Sequence, residues 1–318
     1  MREHWSRILA CTLATAMLLA LGGCVNQHPG NTASASGNAE GEQQERRIVA
    51  TSHSAVVICD RLGLDLIAVP AVGGALPERY QGLPEVGTAM APDTEAIALL
   101  DPTDVIGPGA LAETIEPAYR AAGIPHTFLD LQSVGGMYDS IAALGERYGA
   151  QEQADAMIAE YEATMADFRA ATASGERPRV LVLMGLPGAY IECTQNSYVG
   201  SLIELAGAEN VVQVTTVENF VSWNTEELLA LDPDVILLTA HGMPDLAMQM
   251  FAEEFSTNDI WRHFRAVEQG QIYQLDHSLF GMSCTFEWPQ ALGALHQILY
   301  DGAYETFDAE VAALEYGT

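Results

Sequence analysis

The sequence predicts an α/β protein of two lobes, each a mainly parallel sheet with flanking helices, joined by one long interdomain helix. Three observations carry that expectation. Two short apolar runs, Arg47-Ile48-Val49-Ala50-Thr51-Ser52 and Arg179-Val180-Leu181-Val182-Leu183-Met184, open two halves of the chain as buried strands. An internal repeat then sets Asp93-Thr94-Glu95-Ala96-Ile97-Ala98-Leu99-Leu100-Asp101-Pro102-Thr103-Asp104-Val105-Ile106 against Asn224-Thr225-Glu226-Glu227-Leu228-Leu229-Ala230-Leu231-Asp232-Pro233-Asp234-Val235-Ile236. Each copy reads as a capped helix, an Asp-Pro stop and a strand, the alternation that builds parallel sheets with helices on both faces. Between the copies, residues 150–174 contain neither glycine nor proline.

Taken in order, residues 1–23 read as a signal peptide: Arg2 and Arg7 precede an apolar run, Ile8 to Leu21, that is shorter than the roughly 20 residues of a spanning helix. The run ends Leu21-Gly22-Gly23-Cys24, which resembles a bacterial lipobox and implies diacylation of Cys24, with two chains anchoring the mature protein to the outer side of the cell membrane. An uncleaved anchor helix is the competing reading, disfavoured by the short core and the small residues before Cys24. Residues 24–45 are rich in Asn, Gln, Ser, Gly, Ala and Glu and read as a flexible tether. The first lobe is expected over 46–149, the linking helix over 150–174 and the second lobe over 175–318. In the linker Ala154, Met157, Ile158, Tyr161, Met165 and Phe168 recur at helical spacing. About 22 helical residues would span roughly 33 Å, a strut crossed once by the chain. Ligand is then expected in the cleft between the lobes, at the carboxyl ends of the strands.

Composition narrows the function. The chain of 318 residues carries 13 basic residues, all arginine, against 43 acidic ones, a net charge of −30 that excludes nucleic acid as a partner. With 49% hydrophobic and 18% charged residues it has enough apolar material for a core. Beyond Cys11 and Cys24 it has Cys59, Cys193 and Cys284, with no Cys-x-x-Cys pair, and these read as buried thiols. There is no acid/base pair, nucleophile constellation or cysteine cluster at catalytic spacing, so an enzyme is not expected.

The lipobox, twin lobes, linking helix and Glu-plus-Asp-Pro-Asp repeat resemble the helical-backbone class of substrate-binding proteins that serve ABC importers of siderophores, corrinoids and haem. Within it, Arg47 to Ser52, Leu76-Pro77-Glu78-Arg79-Tyr80 with Gly82-Leu83-Pro84-Glu85-Val86-Gly87, Leu183-Met184-Gly185 with Pro187-Gly188, Ala240-His241-Gly242-Met243-Pro244, Asn258-Asp259-Ile260-Trp261 and Ser278-Leu279-Phe280-Gly281-Met282 resemble the haem-binding lipoproteins of iron-regulated surface determinant systems. The likeness covers nearly all of the chain after the tether. It implies non-covalent haem as cargo, held by a methionine of the first lobe and a histidine of the second. The Val-Gly-x-x-Met-x-Pro-Asp context carries the methionine onto Met90, and Ala-His-Gly-Met-Pro carries the histidine onto His241. It also implies delivery to the ABC permease of the importer, receipt from an upstream haem donor, and one glutamate per lobe that docks on permease arginines, which by position are Glu95 and Glu226.

The residues read alone are compatible with that chemistry. Met90 lies in a loop beside Pro92, where an unbranched thioether can reach a soft metal such as haem iron, although an isolated methionine is ordinarily a core plug. His241 follows the apolar run Val235 to Ala240, at the carboxyl end of a strand. A neutral imidazole and a neutral thioether keep ligation reversible, as delivery requires. The helix start at Ser52, His53 and Ser54 offers backbone N–H groups to the haem propionates, with ordinary capping by Ser52 or Ser54 as the other reading. His53 has no counterpart in the family pattern and reads as a propionate neighbour, an alternative iron ligand or a solvated side chain. Tyr190, Tyr198, Trp223, Phe280 and Met282 are candidates to cover a porphyrin face, with Tyr198 the chosen one, against the alternative of lobe core. Met243 is a competing thioether, and Pro244 after it reads as a helix start. Glu95 and Glu226 also suit a helix's first turn, worth about 0.3 to 1 kcal/mol, whereas Asn224 and Glu227 read as a capping box. The runner-up cargo is a siderophore or other iron chelate, for which axial Met and His would be idle and arginines would be wanted in the cleft.

Overall fold

A computed structural model describes residues 46–72, 75–172, 177–302, 304–309 and 312, all within one compact unit. The first lobe opens with β1 (Ile48–Ala50), whose three residues are buried. It passes to α1 (His53–Arg61), where the Ser52 side chain accepts from the Ala55 N–H at 3.2 Å and satisfies one of the free donors of the first turn. Gly63, at φ +70°, lets the chain leave the helix in a left-handed turn towards β2 (Leu66–Ala68). There follow α2 (Thr94–Leu99), β3 (Asp104–Pro108), α3 (Ala112–Ala122), β4 (His126–Leu129) and α4 (Val134–Tyr148). The four strands are parallel in the order β2-β1-β3-β4.

Helix α5 (Gln151–Thr172) leads to the second lobe. There β5 (Arg179–Leu186), β6 (Ala189–Cys193), α6 (Tyr198–Leu205), β7 (Glu209–Asn210), β8 (Phe220–Val221), α7 (Thr225–Ala230), β9 (Val235–Ala240), α8 (Pro244–Thr257), α9 (Arg265–Glu268), β10 (Ile272–Gln274) and α10 (Trp288–His296) follow. The sheet runs β10-β9-β5-β6-β8, with β7 also on β5. It is parallel across β10, β9 and β5 but antiparallel across β5, β6 and β8. The reversal has a local cause, because Pro187-Gly188 closes a two-residue hairpin between Leu186 and Ala189, with Gly188 at φ +82°.

The repeat seen in the sequence is a repeat of interactions. Asp101 and Asp232 both adopt positive φ, +46° and +45°, ending α2 and α7 in the same left-handed turn. Arg47 before β1 and Arg179 at the start of β5 each reach back to the exposed carbonyl end of that helix. The Arg47 guanidinium donates to Leu100 O at 2.6 Å and that of Arg179 to Leu231 O at 2.8 Å. Free carbonyls at a helix end need such donors, and an arginine there also opposes the helix dipole.

A single apolar cluster runs through both lobes, from Ile48, Ile58 and Leu66 through Met157 of α5 to Leu202, Trp288 and Leu292. At its centre Tyr138 of α4 stacks on Tyr161 of α5 at 4.4 Å between centroids and accepts from Trp288 Nε1 at 3.2 Å. The Cys284 N–H donates to Leu131 O at 2.7 Å, the Arg61 guanidinium lies 3.8 Å from the Phe286 ring centroid, and Trp288 is fully buried. Returning one buried tryptophan to water costs roughly 4–6 kcal/mol at about 25 cal/mol per Å². The lobes are therefore held in a fixed relation by a common core, and wide opening would expose it.

Candidate functional site

Because the first sheet is wholly parallel, every strand ends on the same edge, and the loops that leave that edge form one surface. Residues 84–87 extend it: Val69 and Glu85 pair in parallel, the Val86 N–H donates to Val69 O at 3.0 Å, and the Ala71 N–H donates to Gly87 O at 2.7 Å. Met90 follows directly on this carboxyl edge. It is 74% exposed, in a loop pinned by a Gly87–Pro92 bridge, by the Asp93 N–H on Val86 O at 2.8 Å and by the Ala91 N–H on Thr88 O at 3.1 Å. Gly87 has φ +81°, and a Cβ there would lie 2.5 Å from Ala91 O, so only glycine closes the loop without strain. An apolar side chain held outward by a fixed backbone is the reverse of a core plug, since burial was available to a methionine anywhere along the neighbouring strands.

The second sheet presents His241 in the same manner. β9 ends at Ala240, the His241 N–H donates to Gly185 O at 2.9 Å, and the side chain is exposed. Gly242 and Met243 then turn with φ +72° and +45° into α8, whose first residue is Pro244, and Met243 is 60% exposed. Gly185 is required for α8 to approach β5, for a Cβ there would meet the Ala247 Cβ at 2.6 Å. One residue missed in the sequence reading is His277, exposed on the loop that leaves the neighbouring strand β10. Its sequence signal is weaker than that of His241, because Gln274 interrupts the apolar run and Leu275 and Asp276 separate His277 from the end of β10.

The lobes meet at a cavity of about 70 Å³ lined by His53, Ser54, Val57 and Ile58 of α1, Met137 of α4, and Cys284, Thr285, Phe286 and Glu287 of the second lobe. Ser52 is 92% buried and occupied as the cap of α1, while His53 is exposed at the first helical position. Thr285 Oγ1 is buried beside this cavity without a partner among the described residues. The cavity lies at the amino end of the nine-residue α1, with the Thr285 hydroxyl and the Glu287 carboxylate among otherwise mainly apolar lining.

The aromatic candidates divide. Tyr198 is a correction: it starts α6 and is 99% buried in the core shared by the lobes, so its ring is not presented to a ligand. The cause is helical phase, since Tyr198, Val199, Leu202 and Ile203 form the inward stripe of α6. Burial pushes its phenol well above the ordinary value, and the hydroxyl has no partner among the described residues. Phe280 is likewise fully buried. Tyr190, Trp223 and Met282 are half-buried, and Tyr190 donates to Glu254 at 3.4 Å. Cys59, Cys193 and Cys284 are free and buried, and burial raises the Cys59 and Cys193 thiols to about 12, which leaves them unreactive. Glu95 and Glu226 are exposed in the first turns of α2 and α7, and Asn224 and Glu227 form the capping box. Among the described residues no three His, Cys, Asp or Glu gather into a metal site, and no helix is long and apolar enough to cross a membrane. Cys24, the signal segment and the tether lie outside the described residues.

The model of the periplasmic binding protein family matches residues 48–279. The chain belongs to this family. It is 35% identical over 257 residues to the high-affinity heme uptake system protein IsdE of Staphylococcus aureus (strain Newman), covering 80% of this chain and 88% of that one. Among solved structures, that of S. aureus IsdE complexed with heme superposes with a TM-score of 0.75 at 35% identity, over 80% of this chain and 99% of that chain. An ABC transporter substrate-binding protein from Listeria monocytogenes EGD-e gives 0.76 at 38% identity, over 81% and 100%. The two-lobed α/β architecture is common to the family, and the chain is a binding protein of this kind, not an enzyme.

Proposed function

We propose that this protein is an extracytoplasmic haem receptor, anchored to the cell membrane through a lipidated Cys24, that takes haem from an upstream donor and passes it to the permease of an ABC importer. The observation that carries the reading is Met90, an exposed thioether on a glycine-closed loop at the carboxyl edge of the first lobe, in a chain whose 35%-identical relative is crystallised with heme. Met90 and His241 are its axial ligands, one from each lobe. Both are neutral, so the iron is held without the charge or covalency that would resist release, and a thioether favours retention of an electron-rich iron. The amino end of α1 receives the propionates, with His53 beside them supplying a local donor in a chain of net charge −30. Glu95 and Glu226, equivalent in the repeat, dock on the permease.

Absorption spectroscopy of protein reconstituted with haem tests the ligand set. Met90→Ala and His241→Ala are each expected to shift the Soret band and to speed transfer of haem to apomyoglobin at least tenfold. An unchanged spectrum in both variants would remove the assignment.

A further inference from the structure

The turn that leads from β9 into α8 is built against the usual preferences of a helix start. Helices α1, α2, α4, α6 and α7 begin at Ser52, Asp93, Ser133, Ser197 and Asn224, whose side chains each accept a backbone N–H of the first turn. Helix α8 begins instead at Met243, which makes no such bond and holds the left-handed conformation φ +45°, ψ +59°. That region favours Gly, Asn and Asp, and the other two non-glycine residues with positive φ among the described residues are both aspartates, Asp101 and Asp232. The cap and the third helical residue of such a turn lie side by side, as the capping box of Asn224 and Glu227 shows in α7. In α8 those two positions are Met243 and Leu246. Neither belongs to the core: they are 60% and 41% exposed, while α8 turns Ala247, Met248, Phe251, Ala252 and Phe255 inward. Six large apolar side chains are exposed among the described residues, and this one turn holds two of them. A helix start that forgoes its polar cap, takes a strained backbone and turns two apolar groups outward gains nothing from the fold around it, and outliers of this kind gather at ligand sites.

We propose that Met243 and Leu246 form an apolar platform for the porphyrin ring of haem, an inference that rests on the haem reading and deepens it. His241 stands two residues before Met243, within about 7 Å between Cα atoms, at the carboxyl edge where β9 ends. An imidazole that holds iron from that edge sets the macrocycle beside the turn that follows. The turn is fixed at both ends, by the His241 N–H on Gly185 O at 2.9 Å and by the Ala247 N–H on Met243 O at 3.1 Å. A polarizable thioether on an unbranched chain adapts to a flat ring and gathers many weak dispersion contacts along it. The platform acts on the ring and not on the iron, so its contribution is separate from that of Met90 and His241. It also sets specificity, because it rewards a flat apolar ligand and offers no hydrogen bond to a polar iron chelate.

The test pairs haem with metal-free protoporphyrin IX, which has the ring and no iron to ligate, on the chain from Val25 onward, which keeps the whole compact unit. Met243→Asn places a residue that tolerates positive φ, so the ligand-free variant should melt higher than the parent. The same variant should keep the parent Soret position, lose haem to apomyoglobin roughly fivefold faster or more, and bind protoporphyrin IX, followed by quenching of tryptophan fluorescence, roughly fivefold more weakly or more. Leu246→Gln should act in the same direction, while the apolar Met243→Leu stays within about twofold of the parent on both ligands. His241→Ala should leave protoporphyrin IX binding within about twofold, because that ligand asks nothing of the imidazole. A parent that binds haem while Met243→Asn and Leu246→Gln hold both ligands as tightly overturns the platform alone. A shifted Soret band in Met243→Asn overturns it by making Met243 an iron ligand, and a lowered melting temperature by making the residue structural. A parent that develops no Soret band with added haem removes the haem reading, and the platform's occupant with it.

Discussion

Glu192 allows the sharpest test of the energetics. It lies on β6 with no exposed surface; Oε2 accepts the Trp223 N–H at 2.9 Å and Oε1 is buried without a partner. Burial raises its carboxyl from an ordinary 4.5 to about 7, against the opposing pull of the Trp223 N–H, and the nearby Glu227 adds to the rise. At about 1.4 kcal/mol per tenfold, that displacement corresponds to about 3 kcal/mol. The sign follows from linkage. Between pH 4.5 and 7 the folded protein holds a proton that the unfolded chain has lost, so this stabilisation is complete below pH 4.5, declines as pH rises through 7 and is gone above it. Glu192→Gln keeps an oxygen for the Trp223 N–H and cannot ionise. It should match the parent in stability near pH 4.5 and exceed it by about 3 kcal/mol at pH 8.5, or roughly 6 °C in melting temperature for a chain of this size. Urea unfolding of both proteins at pH 4.5, 6.5 and 8.5 isolates the effect from the general repulsion of the 43 acids, because only the difference between the two is read. A variant no more stable than the parent at pH 8.5, or a difference independent of pH, would refute the reasoning.

Three further outcomes are expected. Gly87→Ala forces a Cβ to within 2.5 Å of Ala91 O at φ +81°, so it should cost about 1–3 kcal/mol and weaken haem retention through Met90 alone, which the double variant with Met90→Ala would show as non-additivity. Trp288→Ala removes the centre of the shared core and its hydrogen bond to Tyr138; chemical denaturation should show a loss of about 3–5 kcal/mol. Reversing Glu95 and Glu226 to arginine should leave the haem spectrum and melting temperature unchanged while abolishing haem-dependent growth; uptake at the parent rate would refute permease docking.

Much of the fold was legible because its signals are local. Ser52, Asp93 and Asn224 cap their helices where the sequence placed helix starts, Gly63 ends α1, and the Asp-Pro steps end α2 and α7. Strand direction extends such signals to the site: once a strand and its chain direction are known, a residue just past its end, such as His241, lies on the carboxyl edge. Met90 was readable through its motif, but its 74% exposure and pinned loop were not, since they depend on backbone pairing with residues up to 21 positions earlier. Tyr198 misled because it sits one residue past the cap of α6, near a loop in the sequence but on the inward stripe of the helix.

The sequence by itself determined the lobes' elements, the repeat, the buried thiols and the candidate ligands, because periodicity, caps and strand ends act over a few residues. Tertiary structure alone decided which side chains share surroundings: the Tyr138–Tyr161–Trp288 core that fixes the lobes, the burial that holds a proton on Glu192, and the placing of the Arg46 and Arg147 guanidiniums each beside the Tyr148 ring. Those pairings join residues as many as 150 positions apart, and the dielectric around a charge is a property of everything packed against it rather than of its neighbours in the chain.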